Sequence, residues 1–540
     1  MEDAVFKKTQ SGASRSLLNF PKRQMKKKIN IILVVAILLL AAFLRLYKIS
    51  DYMTFLGDEG RDVLVAKGIL EGHLTLLGPR ASAGDFFLGP VYYYMIAPFL
   101  WLFRFDPVGP AVMVALLSVA TTFLVYYIGK KFFDEKAGLF AASLYAVSPL
   151  VIRYAHSSWN PDVVPFFSLL FIYILFKAVE MKQVWKYFLF SGILLGILLQ
   201  LHYITLFLIV VGVLYIFLAG RFLTKNTPVT QIIKQYAYLL GGFLVGFSPF
   251  LAFEVRHGFP NMKTIIRFIF GDTLQKGYET SSSYFATITD VFFRVFGRLV
   301  FDFPTPDRYE RFSPLLLQFW GLIIVVVAFA SIAILIRNKN KSVSLLLGLW
   351  LVVSILLFGV YKKAIYDYYF TILFPLPALL IGNFISQIYH RGGKKSNRKI
   401  WMVVGIVLFL GVFLLNLYNQ PFRYVPNRQK DQVKLISEFV IKQTGNKPYN
   451  FALISGGNSD HAYRYFFEIL GHKPVVIENQ INDPKRTSVT DQLLIVCEEV
   501  DCKPLGHPLF DVAAFGRAEI VGEWNVSVVK VYKLVPYKDK

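Results

Sequence analysis

The sequence predicts an all-α polytopic membrane bundle of about eleven transmembrane helices, with outer juxtamembrane helices and a small C-terminal α/β domain. Three observations carry this. Of the 540 residues, 55% are hydrophobic and 16% aromatic, with a mean hydropathy of +0.49, more apolar surface than a soluble core could bury. Apolar runs close to the roughly 20 residues that cross a hydrocarbon core of about 30 Å recur as far as Leu417. Beyond that point the pattern changes to short alternating helix-like and strand-like segments. The formal charge of +23 falls mostly in short stretches between apolar runs, a topology signal and not the footprint of a nucleic-acid-binding domain.

The polar, basic stretch 1–29 leads into an apolar run at 31–46 that no small-residue cleavage site follows, so it reads as an uncleaved first span. Spans are predicted near 30–48, 108–128, 137–153, 162–180, 186–201, 203–220, 235–254, 315–336, 343–360, 365–388 and 400–417, making 30–417 one transmembrane domain. Segment 86–103 is apolar and rich in Tyr, but it contains Pro90 and Pro98 and is bounded by Asp85 and Arg104. If it does not span, the loops bearing Lys130, Lys131 and Lys136, then Lys182 and Lys186, then Arg221, Lys225 and Lys234 share one side. Arg337, Lys339, Lys341, the RGGKKSNRK run and the basic N-terminus join them there, which is the positive-inside pattern. Segment 86–103 is therefore read as a re-entrant or interfacial helix on the outer surface. The N-terminus is then cytoplasmic in a multi-pass plasma-membrane protein. The first loop (50–109), the HSSWNPD turn, the loop 256–311, the YKKAIYD turn and the C-terminal domain (418–540) face outward.

In that domain DQVKLISEFVIKQ and AYRYFFEIL read as helices, and NFALIS, LLIVCEE, AEIVGEW and VSVVKVYKL as strands. ISGGNSD follows a strand but lacks the spacing of a dinucleotide loop. Cys497 and Cys502, spaced as CEEVDC, fit neither a redox CxxC nor a four-ligand zinc site. They are either a small disulfide, if the domain lies outside the cytoplasm, or two free thiols.

Four constellations could carry chemistry. In LGDEGRDVLVAKGIL, Asp58 and Glu59 are adjacent carboxylates, and on a helix Asp58, Arg61 and Asp62 share one face. Val63, Ala66 and Leu70 then form an apolar stripe suited to a helix lying on the membrane surface. The plainer reading is that Asp58 caps the helix. In RYAHSSWNPDVVPFF, Asn160-Pro161-Asp162 is a turn and helix start. Arg153, His156 and Trp159 beside the acid suggest sugar and phosphate contacts, against ordinary N-capping. In QLHYIT, Gln200 and His202 are polar groups at the membrane edge, either functional or satisfied inside the bundle. In YKKAIYDYYF, Lys362 and Lys363 break the positive-inside rule ahead of Tyr366, Asp367, Tyr368 and Tyr369. A lipid-linked phosphate would give the two cations a partner, as would anionic headgroups in general.

The ordered set of the Asp-Glu pair, LGPVYYYMIAPFLWLF, KKFFDEKAGLFAASLYAVSP, SSWNPDVVPFFSLLFIYILF and GILLGILLQLHYITL resembles glycosyltransferase family 39. That group includes the protein O-mannosyltransferases and the aminoarabinose transferases of lipid A and has the GT-C membrane fold. The resemblance covers roughly the first 220 residues, and YDYYFTILFPLPAL less closely; no motif covers the C-terminal domain. It implies a polyprenyl-phosphate sugar donor entering from the bilayer and a lipid, glycan or protein acceptor approaching from the outer side. It further implies that Asp58 is the base, with Glu59 beside it, for a single inverting displacement. Asp162 would be a second acid, and Lys362 and Lys363, or His202, would neutralise the leaving phosphate. The chain departs from the mannosyltransferases in having no recognisable sugar-binding repeat domain in the loop 256–311, and Gln200 and His202 where many relatives have a lysine. Two or three carboxylates on one face could hold a divalent cation as a cofactor, but the spacing does not demand it. The competing readings are a transporter or flippase of lipid-linked sugars and a scaffold that presents the C-terminal domain. The first lacks internal repeats and mid-span charge, and the second leaves the Asp58 cluster and the YKKAIYD cations without a role.

Overall fold

The computed structural model describes residues 24–25, 27–81, 86–181, 185–223, 227–270, 283–361, 364–391 and 397–537. Among the described residues seven helices are long and apolar enough to cross a bilayer: Lys27–Leu46, Val108–Phe132, Asn160–Glu180, Tyr203–Leu223, Pro314–Ile336, Lys341–Gly359 and Arg398–Tyr418. Three more spans are bent pairs: Glu135–Val147 with Pro149–Ala155, Val229–Gly246 with Ser248–His257, and Asp367–Leu373 with Pro375–His390, the bends being 60°, 73° and 58°. In each, a proline stands in the first turn of the second segment. Without an N–H it cannot continue the helical ladder, but its fixed φ suits a restart. With the 17-residue helix Trp185–Leu201, these correspond one for one to the eleven predicted spans. Val91–Leu102 is a helix of 12 residues, about 18 Å at 1.5 Å per residue and too short to cross.

The bundle is locked by close backbone contact and by one buried cation. Trp185–Leu201 crosses Val229–Gly246 at glycines spaced four apart on each helix. A Cβ on Gly192 would lie 2.0 Å from the Leu239 carbonyl oxygen, and one on Gly242 1.9 Å from that of Leu189. This small-residue packing lets helix backbones touch in a membrane. Arg45, wholly buried, donates to Ser118 Oγ at 2.7 Å and to the carbonyls of Ala146 and Tyr145 at 2.8 and 3.2 Å, tying the first span to its neighbours.

Two expectations change. The loop 256–311 contains helices Pro260–Phe270 and Tyr284–Val300. The second is amphipathic, burying Val291, Val295, Phe296, Leu299 and Val300 at the 3.6-residue period. The stripe on Gly57–Leu70, expected to lie on the membrane surface, is instead largely covered by protein. Val63 and Ala66 are buried where this helix packs between Val91–Leu102 and His461–Ile469, while Leu70 stays exposed.

The C-terminal domain holds a four-stranded sheet in the order β1-β2-β4-β3: β1 Asn450–Ile454, β2 Leu493–Cys497, β3 Ala518–Val526 and β4 Val529–Pro536. β1 and β2 are parallel and the remaining pairs antiparallel, with β1 and β2 buried throughout. Cys497 and Cys502 form a disulfide. The domain docks on the bundle through Tyr465, whose hydroxyl donates to the Phe105 carbonyl at 2.6 Å, through the Arg428 N–H on the Asp51 carbonyl at 2.9 Å, and through Lys67, which reaches Glu468 at 2.9 Å.

Candidate active site

The helix Gly57–Leu70 starts where Glu59 reaches back to accept from the Leu56 N–H at 3.0 Å, satisfying one of the donors a helix start leaves over. The other Glu59 oxygen accepts from Ser157 Oγ at 3.1 Å, which joins this helix to the HSSWNPD turn. Glu59 is buried, and that burial raises its carboxyl above the ordinary range. Arg61 bridges its two helix neighbours: Nη1 lies 2.8 Å from Asp58 Oδ1, and Nη2 2.7 Å from Asp62 Oδ1. Asp62 has no exposed surface, its Oδ2 has no hydrogen-bond partner among the described residues, and burial pushes it up to about 7 against the pull of Arg61. Asp58 remains open, its side chain 54% exposed.

Asp58 faces a cavity of about 550 Å³ whose wall also includes Glu59, Arg153, Trp159, Asp162 and the 457–459 loop. Asp162 sits in the 3-10 turn Asn160–Val163. It is buried, and neither of its carboxylate oxygens has a hydrogen-bond partner among the described residues. A desolvated, unpartnered carboxylate is costly unless a ligand engages it.

The C-terminal domain closes this chamber, a role that sequence reasoning missed although ISGGNSD stood out as a loop. The Gly57 N–H donates to Asn458 Oδ1 at 2.9 Å, and Asn458 Nδ2 donates in turn to Glu498 at 3.1 Å. A Cβ on Gly60 would come within 2.3 Å of the Ala462 nitrogen, so glycine is required for the approach.

A second cavity, of about 380 Å³ and almost wholly apolar, lies between Phe86, Leu88, Tyr203, Phe207, Phe247 and Tyr361. Tyr203 donates to Tyr369 at 3.0 Å and shares a hydrogen bond with Tyr361 at 3.1 Å. Rings then run from Tyr369 to Tyr368 to Trp159 at centroid spacings of 4.5 and 4.4 Å. An aromatic path thus connects the apolar cavity to the acid chamber.

Of the predicted site residues, Asp58, Glu59, Arg153 and Asp162 meet in the chamber, with Arg61 and Asp62 behind Asp58. His202 lies beside the aromatic path, 5.5 Å from Tyr369 between ring centroids. Its Nδ1 accepts from the Ile204 N–H at 3.2 Å, so it caps a helix start. Gln200 donates to the Gly246 carbonyl at 2.6 Å, Asn160 donates to the Leu201 carbonyl, and His156 packs by Phe422 with Nδ1 2.7 Å from the Ile152 carbonyl oxygen. None of these four lines the chamber. Tyr366 is exposed and stacks on Tyr368. Lys362 and Lys363 lie outside the described residues. Asp367, noted in the sequence only as part of its motif, pairs with Arg294 and Arg298, each at 2.6 Å. On the carboxylate face Arg61 bridges Asp58 and Asp62, and among the described residues no group of three His, Cys, Asp or Glu side chains comes together.

Residues 88–253 match the family model described as dolichyl-phosphate-mannose-protein mannosyltransferase, a stretch that contains Arg153 and Asp162 but not Asp58. No curated protein sequence matches the chain at a significant level. Among solved structures, ArnT from Cupriavidus metallidurans bound to undecaprenyl phosphate is similar, with a TM-score of 0.58 at 12% identity over 93% of this chain and 97% of that one. The archaeal oligosaccharyltransferase AglB from Archaeoglobus fulgidus, in complex with an inhibitory peptide and a dolichol-phosphate, gives 0.53 at 13% identity over 87% and 69%. The fold is that of the GT-C membrane glycosyltransferases, and the match over residues 88–253 supports a membrane glycosyltransferase. The chain is therefore a multi-pass membrane protein of the GT-C fold, similar over residues 88–253 to the protein mannosyltransferases of glycosyltransferase family 39.

Proposed function

We propose that the protein transfers a sugar from a polyprenyl-phosphate donor to the hydroxyl of a lipid, glycan or protein acceptor at the extracytoplasmic face, with inversion at the anomeric carbon. One observation carries this reading: an acid chamber with a solvent-open aspartate, Asp58, is joined by a path of aromatic rings to an apolar cavity between the helices. The cavity suits a polyprenyl chain, which is apolar and needs no polar partners. The path leads its phosphate-linked sugar toward Trp159, a flat apolar surface of the kind sugar rings pack against. Lys362 and Lys363, which the family resemblance assigns to neutralising the leaving phosphate, keep that role in this reading. ArnT and AglB were solved with undecaprenyl phosphate and dolichol-phosphate, lipids of this chemical class.

In the reaction, Asp58 takes the acceptor O–H proton as that oxygen bonds to the anomeric carbon. The bond from that carbon to the phosphate oxygen breaks, and the electron pair leaves with the phosphate. Glu59 is committed to the helix start and to Ser157, so it positions Asp58. Arg61, with Nη1 2.8 Å from Asp58 Oδ1, orients it. Asp162, with no hydrogen-bond partner among the described residues, accepts hydrogen bonds from substrate hydroxyls. No nucleic acid enters this reading, and membrane lipids are the surround.

The test is turnover of a panel of polyprenyl-phosphate monosaccharides by purified wild type and by Asp58→Asn. Wild type is expected to consume at least one donor, and the variant to lose 10²–10⁴-fold, the range for a general base, at unchanged folded yield. A wild type that consumes none, but moves lipid-linked sugar between vesicle leaflets, would establish transport in place of transfer.

A further inference from the structure

Beside the acid chamber lies a third cavity of about 560 Å³ with a different character. Five arginines face it, Arg153, Arg298, Arg308, Arg311 and Arg423, against two carboxylates, Asp302 and Asp367. Asp367 is already engaged, accepting from Arg298 at 2.6 and 2.8 Å and from Arg294 at 2.6 Å. Arg308 comes no nearer than 3.9 Å to the exposed Asp307. Among the described residues no carboxylate lies within 4.0 Å of Arg153, Arg311 or Arg423. Two of the guanidinium groups lie over rings, Arg308 at 5.5 Å from Tyr424 and Arg423 at 4.1 Å from Tyr418, whose hydroxyl also accepts from Arg423 Nη2 at 2.8 Å. These contacts restrict the two side chains while their remaining N–H groups can still donate.

A concave surface with this excess of positive charge is unfavourable when empty of counter-charge, and it focuses potential toward anions. Planar guanidinium forks match the oxygens of a phosphate group better than those of any neutral ligand. The position adds to the argument. Arg153 belongs to the wall of this cavity and to that of the acid chamber, so one ligand can hold its anionic group here and present a hydroxyl to Asp58. Leu150, Trp320 and Leu415 are also part of the wall and give the cavity an apolar side toward the spans. The apolar cavity proposed for the donor tail lies at Tyr203 and Tyr361, and the two cavities share no wall residue.

We infer that this arginine-lined cavity is the acceptor site, and that it binds a phosphate group carried by the acceptor. This rests on the transferase reading above and names the acceptor class within it. The phosphate can belong to a membrane lipid headgroup or to a water-soluble phosphorylated compound, and the test separates the two by binding, without turnover.

Thermal unfolding of the full chain in detergent is followed as inorganic phosphate replaces chloride at constant ionic strength. In parallel, the chain is melted in nanodiscs of phosphatidylcholine with or without phosphatidylglycerol. The wild type and Asp58→Asn are expected to show the same stabilisation, and the double variant Arg308→Gln/Arg311→Gln to need at least tenfold more ligand for it. Arg311→Gln alone, at an exposed side chain, repeats the test without risk to folding and is expected to give a smaller loss in the same direction. An arginine-dependent shift with inorganic phosphate assigns a soluble phosphorylated acceptor; one seen only in phosphatidylglycerol discs assigns a lipid headgroup. Equal shifts in wild type and both variants, or no shift in either arm, overturn the inference. Donor turnover with no anion binding would leave the transferase standing and remove only the acceptor class.

Discussion

Asp58, Glu59 and Asp62 lie within five residues on one helix, yet their surroundings set them apart. Glu59 spends both oxygens on internal donors, Asp58 opens to the chamber, and Asp62 is sealed behind Arg61 with one oxygen unpartnered. Asp62 carries a consequence for stability. Its carboxyl is raised from 3.8 to about 7 by burial, so the folded state holds a proton that the unfolded chain has released. The contribution is therefore greatest below pH 4 and declines as pH rises from about 4 to about 7. In Asp62→Asn that titration is absent. The stability of wild type relative to the variant is expected to fall between pH 5 and pH 8 by on the order of 2 kcal/mol, since each pKa unit corresponds to about 1.4 kcal/mol. Thermal unfolding of both proteins across that range measures it. A constant difference would mean that the Arg61 fork outweighs desolvation and keeps Asp62 ionised throughout.

Between elements, the decisive contact is the approach of Gly57–Leu70 to His461–Ile469. A methyl group at Gly60 would meet only backbone, Ala462 N and Cα at 2.3 and 2.4 Å, and backbone cannot turn aside as a side chain can. Gly60→Ala is thus expected to lower stability by roughly 1–3 kcal/mol, the cost of overpacking, and to loosen the C-terminal domain. Gly68→Ala on the same helix has only His73 Cβ within reach, at 3.8 Å. It should be neutral or gain up to about 1 kcal/mol from helix propensity. Melting curves, with limited proteolysis of the C-terminal domain, separate the two; equal behaviour would mean that the domain does not bear on this helix. The same contact marks the limit of what the sequence discloses. Each span was legible because length and hydropathy are local, and each bend falls at a proline that sequence alone displays. The shared helix face of Asp58, Arg61 and Asp62 followed from 3.6-residue spacing. The amphipathic period of Tyr284–Val300 was also present in the sequence, but a helix of that kind inside a long polar loop is easily read as loop. The pairing of Gly57 with Asn458 spans 401 positions, and no local pattern encodes it. For that reason the stripe of Val63 and Ala66 was assigned to lipid when its cover is protein.

For the molecule as a whole, the remaining question of mechanism is direction. The C-terminal domain, the acid chamber and the arginine cavity lie together, since residues 457–459 line the chamber and Arg153 lines both cavities. The basic loops near Lys130, Lys186, Lys234 and Lys339 follow or precede spans at their other ends. Two independent arguments orient this arrangement. Lys and Arg are retained on the cytoplasmic side of short loops, and a disulfide such as Cys497–Cys502 persists in an oxidising compartment. Both support the proposed outward-facing chamber, where an acceptor never crosses the bilayer and a lipid-linked donor must be presented in the outer leaflet. Single cysteines at exposed positions of the two ends put this to the test, because the native pair is already oxidised. Ile481 in the C-terminal domain is 89% exposed, and Lys339 lies in the turn between Pro314–Ile336 and Lys341–Gly359. A membrane-impermeant maleimide on intact cells is expected to label Ile481→Cys at once and Lys339→Cys only after permeabilisation. The reverse result would put the chamber in the cytoplasm, where nucleotide sugars are at hand and the case for a lipid-linked donor loses its physical reason.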